Sequence, residues 1–152
     1  MTFGNEKLSA SLEDYLEAIF NLSSGNQIAR AKDIARVLDV ARASVTGALR
    51  TLAERELINY KPYGFITMTE RGRKLAWKIA RRHEILSFFF AEVLGVEAAA
   101  AQRAACRTEH TLGPEVTNRL TAFVEFVRER QADGHDVAQL FQQYCTLLRE
   151  GT

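Results

Sequence analysis

What this chain has little of narrows its class first. Two cysteines in 152 residues, Cys106 and Cys145, are too few for a disulfide framework. No apolar run approaches the ~20 residues that a bilayer-spanning helix needs. The stretch ILSFFFAEVLGV is too short and is broken by Glu92. The first residues, MTFGNEKLSAS, lack the basic start and apolar core of a signal peptide. There is no internal repeat, low-complexity tract, glycine-rich loop or nucleophile motif. These absences argue against a disulfide-stapled secreted scaffold and a helical membrane protein. A cytoplasmic protein with free thiols is the expectation.

The composition is ordinary for a globular chain of one domain or two small ones, with 47% hydrophobic and 26% charged residues. The net charge of +1 conceals an asymmetry. Residues 1–82 carry 14 Lys/Arg against 9 Asp/Glu, whereas residues 83–152 carry 6 against 10. Within 26–82 the balance is 13 against 5. A basic front half and an acidic back half suggest that only one end meets a polyanion, with random clustering of charge as the plainer account.

Hydrophobic spacing predicts a mostly helical chain. Residues 12–22 place Leu12, Tyr15, Leu16, Ile19, Phe20 and Leu22 on one stripe, with Ser11 as the N-cap, and SSGN ends that helix. KDIARVLDV fits a short second helix with Ile34, Ala35, Val37 and Leu38 inward. After a turn at 40–42, ASVTGALRTLAEREL gives a third, with Val45, Leu49, Leu52 and Leu57 apolar. INYKPYGFITMT reads as a hairpin turning at Lys61, Pro62, Tyr63 and Gly64. Thr69 is placed to cap a long helix that stops near Gly95. Further helices follow over about 97–110, from Pro114 to about residue 130, and over DVAQLFQQYCTLLRE.

Helix, short helix, tight turn, helix and hairpin is the order of a winged helix-turn-helix, whose third helix enters the ~12 Å major groove of B-DNA. The outward positions of that helix are small or polar: Ala43, Ser44, Thr46, Gly47 and Arg50. Small residues allow close approach to base edges, and hydroxyls and guanidinium supply hydrogen bonds. Arg42, Arg30 and Lys32 suit phosphate contact, as does Lys61 at the hairpin tip. A merely solvated helix face is the plainer account of Ser44, Thr46 and Arg50. The agreement of pattern, wing and charge favours double-stranded DNA.

Three other places hold groups able to bind metal. Asp14 and Glu17 lie one turn apart, His83 follows an Arg-rich stretch, and Cys106, Glu109 and His110 stand at i, i+3 and i+4. Singly, each has an ordinary role: a first-turn carboxylate, surface acids, a solvated histidine, a small buried thiol. Jointly they supply six donors of the kind that hold Fe, Mn, Co, Ni or Zn. His135 and Cys145 carry no expected site role.

LEDYLEAIF, DIARVLDV, SVTGALRTLAERELI, the hairpin, TERGRKLA, RRHEIL and C-x-x-EH together resemble the diphtheria toxin repressor family of metal-dependent regulators, over residues 9 to 130. The length is similar to that of its short, manganese-regulator branch. The resemblance implies a winged helix-turn-helix over residues 1–72 and an all-helical metal-binding and dimerisation domain over 73–152. It implies a metal site of Asp14, Glu17, His83, Cys106, Glu109 and His110, taking one or two ions per subunit. Cys106 stands where the manganese branch has Glu, and Asp14 stands where the toxin-repressor branch has Met, so this chain mixes the two. Ser87 and Gln102 replace a second site's ligands, which implies that this second site is missing.

The function implied is a homodimeric repressor of metal-homeostasis genes that binds operator DNA with a divalent metal as corepressor. Leu112, Val116, Leu120, Phe123, Val124 and Val127 either pack only within the chain or form a dimer face, and the resemblance favours the dimer face. Fe(II) is favoured over Mn(II) as cofactor, because manganese prefers oxygen donors and a Cys106 thiolate favours later metals. Two rivals are a winged-helix regulator answering to a non-metal ligand and, more remotely, a small metalloenzyme. An enzyme would need an open coordination position and a substrate pocket, and the basic hairpin would go unexplained.

Overall fold

The computed structural model describes residues 7–24, 28–62 and 64–150. Gly25, Asn26 and Tyr63, which the sequence reading placed in turns, lie outside them. The chain divides into two compact units, Met1–Ala80 and Arg81–Thr152, with the division falling inside one helix.

The first unit contains α1 (Ala10–Ser23), α2 (Ala31–Leu38), α3 (Arg42–Glu54), β1 (Ile58–Asn59), β2 (Thr67–Met68) and the start of α4 (Glu70–Phe88). The α1 cap is Ser9, whose hydroxyl accepts from the Leu12 amide, rather than the expected Ser11. Leu16 and Ile19 of α1, Ile34 of α2, and Val45, Leu49 and Leu52 of α3 are fully buried together. Each such Leu or Ile contributes roughly 1.5–3 kcal/mol relative to exposure. Val37, expected inward, is 57% exposed, since the eight-residue α2 has only one inward row, centred on Ile34.

Two left-handed residues shape the connections. Asp39 (φ 53°) ends α2, where its short polar side chain tolerates that conformation. Glu56 (φ 56°) ends α3 before Leu57, which the periodicity had kept in the helix. The reversal turns Leu57 into the core, and its amide donates to the Leu52 carbonyl. β1 and β2 then pair antiparallel, Ile58 with Met68 and Asn59 with Thr67. A further bridge joins Ala29 to Ile66, tying the segment before α2 to the wing.

Thr69 caps α4 as expected. Its Oγ1 accepts from the Gly72 amide at 3.0 Å and lies 2.8 Å from the Glu56 carbonyl, to which the hydroxyl donates. Gly72 is required here by proximity, because a Cβ at this position would stand 1.8 Å from the Leu57 carbonyl oxygen.

In the second unit α4 ends at Phe88, and a π-helical turn (Phe89–Val93) replaces the continuous helix that the periodicity suggested. The turn stops at Gly95, whose φ of 70° suits glycine. Then come α5 (Ala98–Thr108), α6 (Pro114–Ala132) and α7 (Val137–Glu150). The Gln142 side chain on α7 donates to the Glu92 carbonyl of the π turn at 2.6 Å. Val93, Val127 and Ala138 form a small core against Phe88 and Phe89. Glu84 accepts from Arg81 at 2.9 Å and from Arg128 at 3.2 Å, and the Arg128 guanidinium lies 4.3 Å from the Phe88 ring centre. The Arg81 hydrogen bond, and after it Arg128, hold the Glu84 carboxyl below the usual range.

Substituting Gly72→Ala should therefore lower stability by about 2–3 kcal/mol, since backbone rather than a flexible side chain must yield. Urea unfolding measures this. A midpoint equal to that of the unsubstituted chain would contradict the close approach.

Candidate functional site

The α3 surface carries the first candidate site. Arg42, Ala43, Ser44, Gly47 and Arg50 are exposed and Thr46 is half-buried, while Val45, Ala48 and Leu49 between them are buried. The helical period thus delivers every outward residue to one face. An open cleft of about 690 Å³ runs beside it, lined by Arg30, Lys32, Arg42, Thr46, Arg50 and Phe65 among others. Lys61 is exposed in the hairpin connection. Neither α2 nor α3 has a side-chain cap: Arg30 and Ala41 stand at their N-cap positions without one. The first amides of two helices and four cations therefore share one side of this unit, an arrangement suited to phosphate oxygens. The aromatics Tyr60 and Phe65 line the same cleft and were missed from sequence. Their position beside the hairpin turn was the available signal.

The second candidate site is in the other unit. Glu109 follows α5 directly, 1% exposed, and lies between two imidazoles. Its Oε2 is 2.7 Å from His83 Nδ1, and its Oε1 is 3.4 Å from His110 Nε2. The second approach lacks hydrogen-bond geometry, so Oε1 is buried with no hydrogen-bond partner among the described residues. The Cys106 sulfur lies within 4.8 Å of a Glu109 carboxylate oxygen. His83 Nε2 faces the Gln102 side chain at 2.9 Å, and the Ser87 hydroxyl reaches the same amide oxygen at 3.4 Å.

Four of the six expected metal ligands, His83, Cys106, Glu109 and His110, are thus gathered in one place, with one geometric difference. The helix ends at Thr108, so His110 sits in the following turn rather than on the helix face. Cys106 is exposed and borders a shallow hollow with Arg103 and Arg107. Asp14 and Glu17 belong to the first unit, both half-buried on α1. A buried carboxylate oxygen without a donor, flanked by imidazole nitrogens and a thiol, fits a transition-metal cation.

The apolar residues expected to face a second copy separate into two groups. Val124 and Val127 are fully buried, because both take inward positions on α6, so they have no exposed surface to offer a partner, and Val127 packs with Val93 and Ala138. Val116 and Phe123 are 53% and 40% exposed, and Leu112 and Leu120 are half-buried. Among the described residues no helix is long and apolar enough to cross a membrane.

Comparison with known proteins identifies a family for both parts of the chain. Residues 7–66 match the iron dependent repressor N-terminal DNA binding domain, and residues 69–136 match the iron dependent repressor metal binding and dimerisation domain. An uncharacterised HTH-type transcriptional regulator of Methanocaldococcus jannaschii is 34% identical over 81% of this chain and 99% of its own. The HTH-type transcriptional regulator MntR of Geobacillus kaustophilus is 33% identical over 78% of this chain and 84% of its own. Among solved structures, a manganese-dependent transcriptional repressor in complex with manganese superposes with a TM-score of 0.69 at 27% identity. That match covers 76% of this chain, which spans only 53% of the solved one.

Glu97 holds the start of α5, the helix that carries Cys106. Its carboxylate oxygens accept from the Ala99 amide at 2.9 Å and the Ala100 amide at 3.0 Å, and these two bonds lower its pKa. A carboxyl whose folded pKa is lowered adds stability above its unfolded pKa of ~4.3 and loses it as pH falls through the folded value. Glu97→Ala should accordingly melt earlier than the unsubstituted chain at pH ~7, with the gap narrowing below pH ~4. Thermal melts across that range decide it, and a gap independent of pH would contradict the capping role.

Proposed function

Because the chain belongs to the iron dependent repressor family, which includes the diphtheria toxin repressor and the manganese regulators, we propose that it is a homodimeric, metal-activated repressor of metal-homeostasis genes. In this reading residues 1–72 bind operator DNA, and residues 73–152 carry the dimer contacts and most of the metal ligands. The family is one of transcriptional regulators, so the metalloenzyme suggested by the ligand types alone falls away. The match to a metal-binding domain likewise displaces a non-metal signal.

The observation that carries the metal half is Glu109, buried with Oε1 lacking a hydrogen-bond donor among the described residues and with His83 and His110 on either side. His83, Cys106, Glu109 and His110 are the proposed ligands from this unit. Asp14 and Glu17 join them on the sequence pattern. A divalent cation supplies the positive charge that three carboxylates need in order to sit together. Affinity for DNA rises only insofar as these six side chains bind metal more tightly in the DNA-competent form.

The cleft beside α3 supports the DNA half. Arg42, Ala43, Ser44, Thr46, Gly47 and Arg50 face the groove in this reading, and Arg30, Lys32 and Lys61 meet phosphates. Leu112, Val116, Leu120 and Phe123 are the proposed dimer contacts. Fe(II) is the proposed corepressor, with Mn(II) next. The Cys106 sulfur shifts a set otherwise made of imidazoles and carboxylates towards softer metals.

The test is metal analysis of the purified chain, paired with binding to a duplex selected from a random-sequence pool, across a series of metals. Arg50→Ala should weaken DNA binding about tenfold or more with metal affinity unchanged. Glu109→Ala should abolish stimulation by metal while the dimer survives. DNA affinity indifferent to both metal and chelator would reject the proposal.

Metal choice has its own test, run anaerobically. Cys106→Glu replaces the thiol with a hard oxygen donor, so DNA binding should respond better to Mn(II) relative to Fe(II) than before. The same ranking of the two metals in both proteins would remove Cys106 from the control of selectivity.

A further inference from the structure

We propose that Phe65, on the wing, is a positioning residue that holds Arg30 ready for the phosphate backbone of the operator. This rests on the DNA-binding reading and adds to it a residue that the sequence had not marked.

The placement follows from strand register. The bridge pairs Ala29 with Ile66, whose hydrogen bond runs from the Ile66 amide to the Ala29 carbonyl at 3.3 Å. In an antiparallel pair the neighbours on either side come opposite one another, so Arg30 faces Phe65. Side chains alternate along a strand, and Ala29 and Ile66 are buried at 0% and 1% exposure. Arg30 and Phe65 therefore both point outward, and the Arg30 guanidinium carbon lies 5.6 Å from the centre of the Phe65 ring.

An exposed phenylalanine has no polar atom to satisfy, and Phe65 leaves 57% of its surface in water. Its ring face supplies what a guanidinium can use, an attractive surface within about 6 Å. A guanidinium resting on a ring keeps its N–H edge free to donate to phosphate oxygens. Arg30 and Phe65 also line the same cleft as Arg42, Thr46 and Arg50 of α3. The ring thus places a cation in the wall of the cleft that α3 also lines. It also removes rotamer freedom that an unsupported arginine would lose on binding DNA.

The experiment measures DNA affinity against salt for the full-length, metal-loaded protein, using the duplex selected by the unsubstituted chain. Arg30→Ala should reduce the salt slope by ~0.9 for each subunit on the duplex, ~1.8 for the homodimer, the loss of one phosphate contact per subunit. Phe65→Ala and Phe65→Leu should move the slope towards that value and weaken binding about two- to fivefold. Phe65→Tyr, which keeps the ring, should leave both unchanged. Adding Phe65→Ala to Arg30→Ala should cost nothing further. Leucine keeps the apolar bulk of the wing, so it decides the matter should the alanine variant fold poorly. A wild-type salt slope in the folded leucine variant, at any affinity, overturns the proposal. Arg50→Ala separates the two levels: if it weakens binding while the Phe65 variants keep the wild-type slope, only this inference fails. If Arg50→Ala leaves binding unchanged, the DNA-binding reading fails as well.

Discussion

A carboxylate held away from water must be compensated by hydrogen bonds or by opposite charge, and the cost is several kcal/mol where it is not. Glu109 is that constraint in this chain. One of its oxygens meets His83, and the other is buried without a donor among the described residues. A structural role alone would be served better by a neutral side chain at this place. Potential ligands stand beside it: two imidazoles and a thiol. The local sequence secures the arrangement cheaply. Glu97 ties down the start of α5, and three residues at the end of that helix and just beyond it bring their donors together.

The DNA-facing half is governed by the opposite economy. There the chain leaves unfinished what a purely structural helix would complete. Two helices begin without side-chain caps, and their flanking residues are cations. The interior behind them is made secure instead, with Leu16, Ile19, Ile34, Leu49 and Leu52 fully buried. Glycine is required where Gly72 meets the Leu57 carbonyl, at the start of α4. A rigid scaffold with an exposed cationic edge suits recognition of a charged, regular polymer. The membership of the chain in a family of metal-dependent regulators gives both halves a common purpose.

Much of this was legible from residues alone. Amphipathic spacing located all seven helices of the described residues, and the Lys61–Gly64 turn signal located the wing. The outward residues of α3 were readable because a 3.6-residue period leaves little choice once Val45, Leu49 and Leu52 are inside. Helix ends were less legible. The periodicity of Leu57 matched its burial, yet a left-handed Glu56 had already ended the helix. The π turn at Phe89–Val93 left no mark in a stretch whose apolar residues suit an ordinary helix equally well. Phe65 was passed over because its role depends on a pairing between Ala29 and Ile66, far apart along the chain.

The sequence by itself determined the class of fold, the basic face and the chemistry of the ligands, since these follow from side-chain types and from periods of two or 3.6 residues. Tertiary structure decided what each residue is spent on. Val116 and Val124 are alike in sequence and both lie on α6, yet Val116 is half in water and Val124 is wholly buried. Glu13 and Glu109 are buried while Glu54, Glu56, Glu70 and Glu97 are exposed. Those outcomes depend on which elements pack together across long separations, and local periodicity carries no information about that choice.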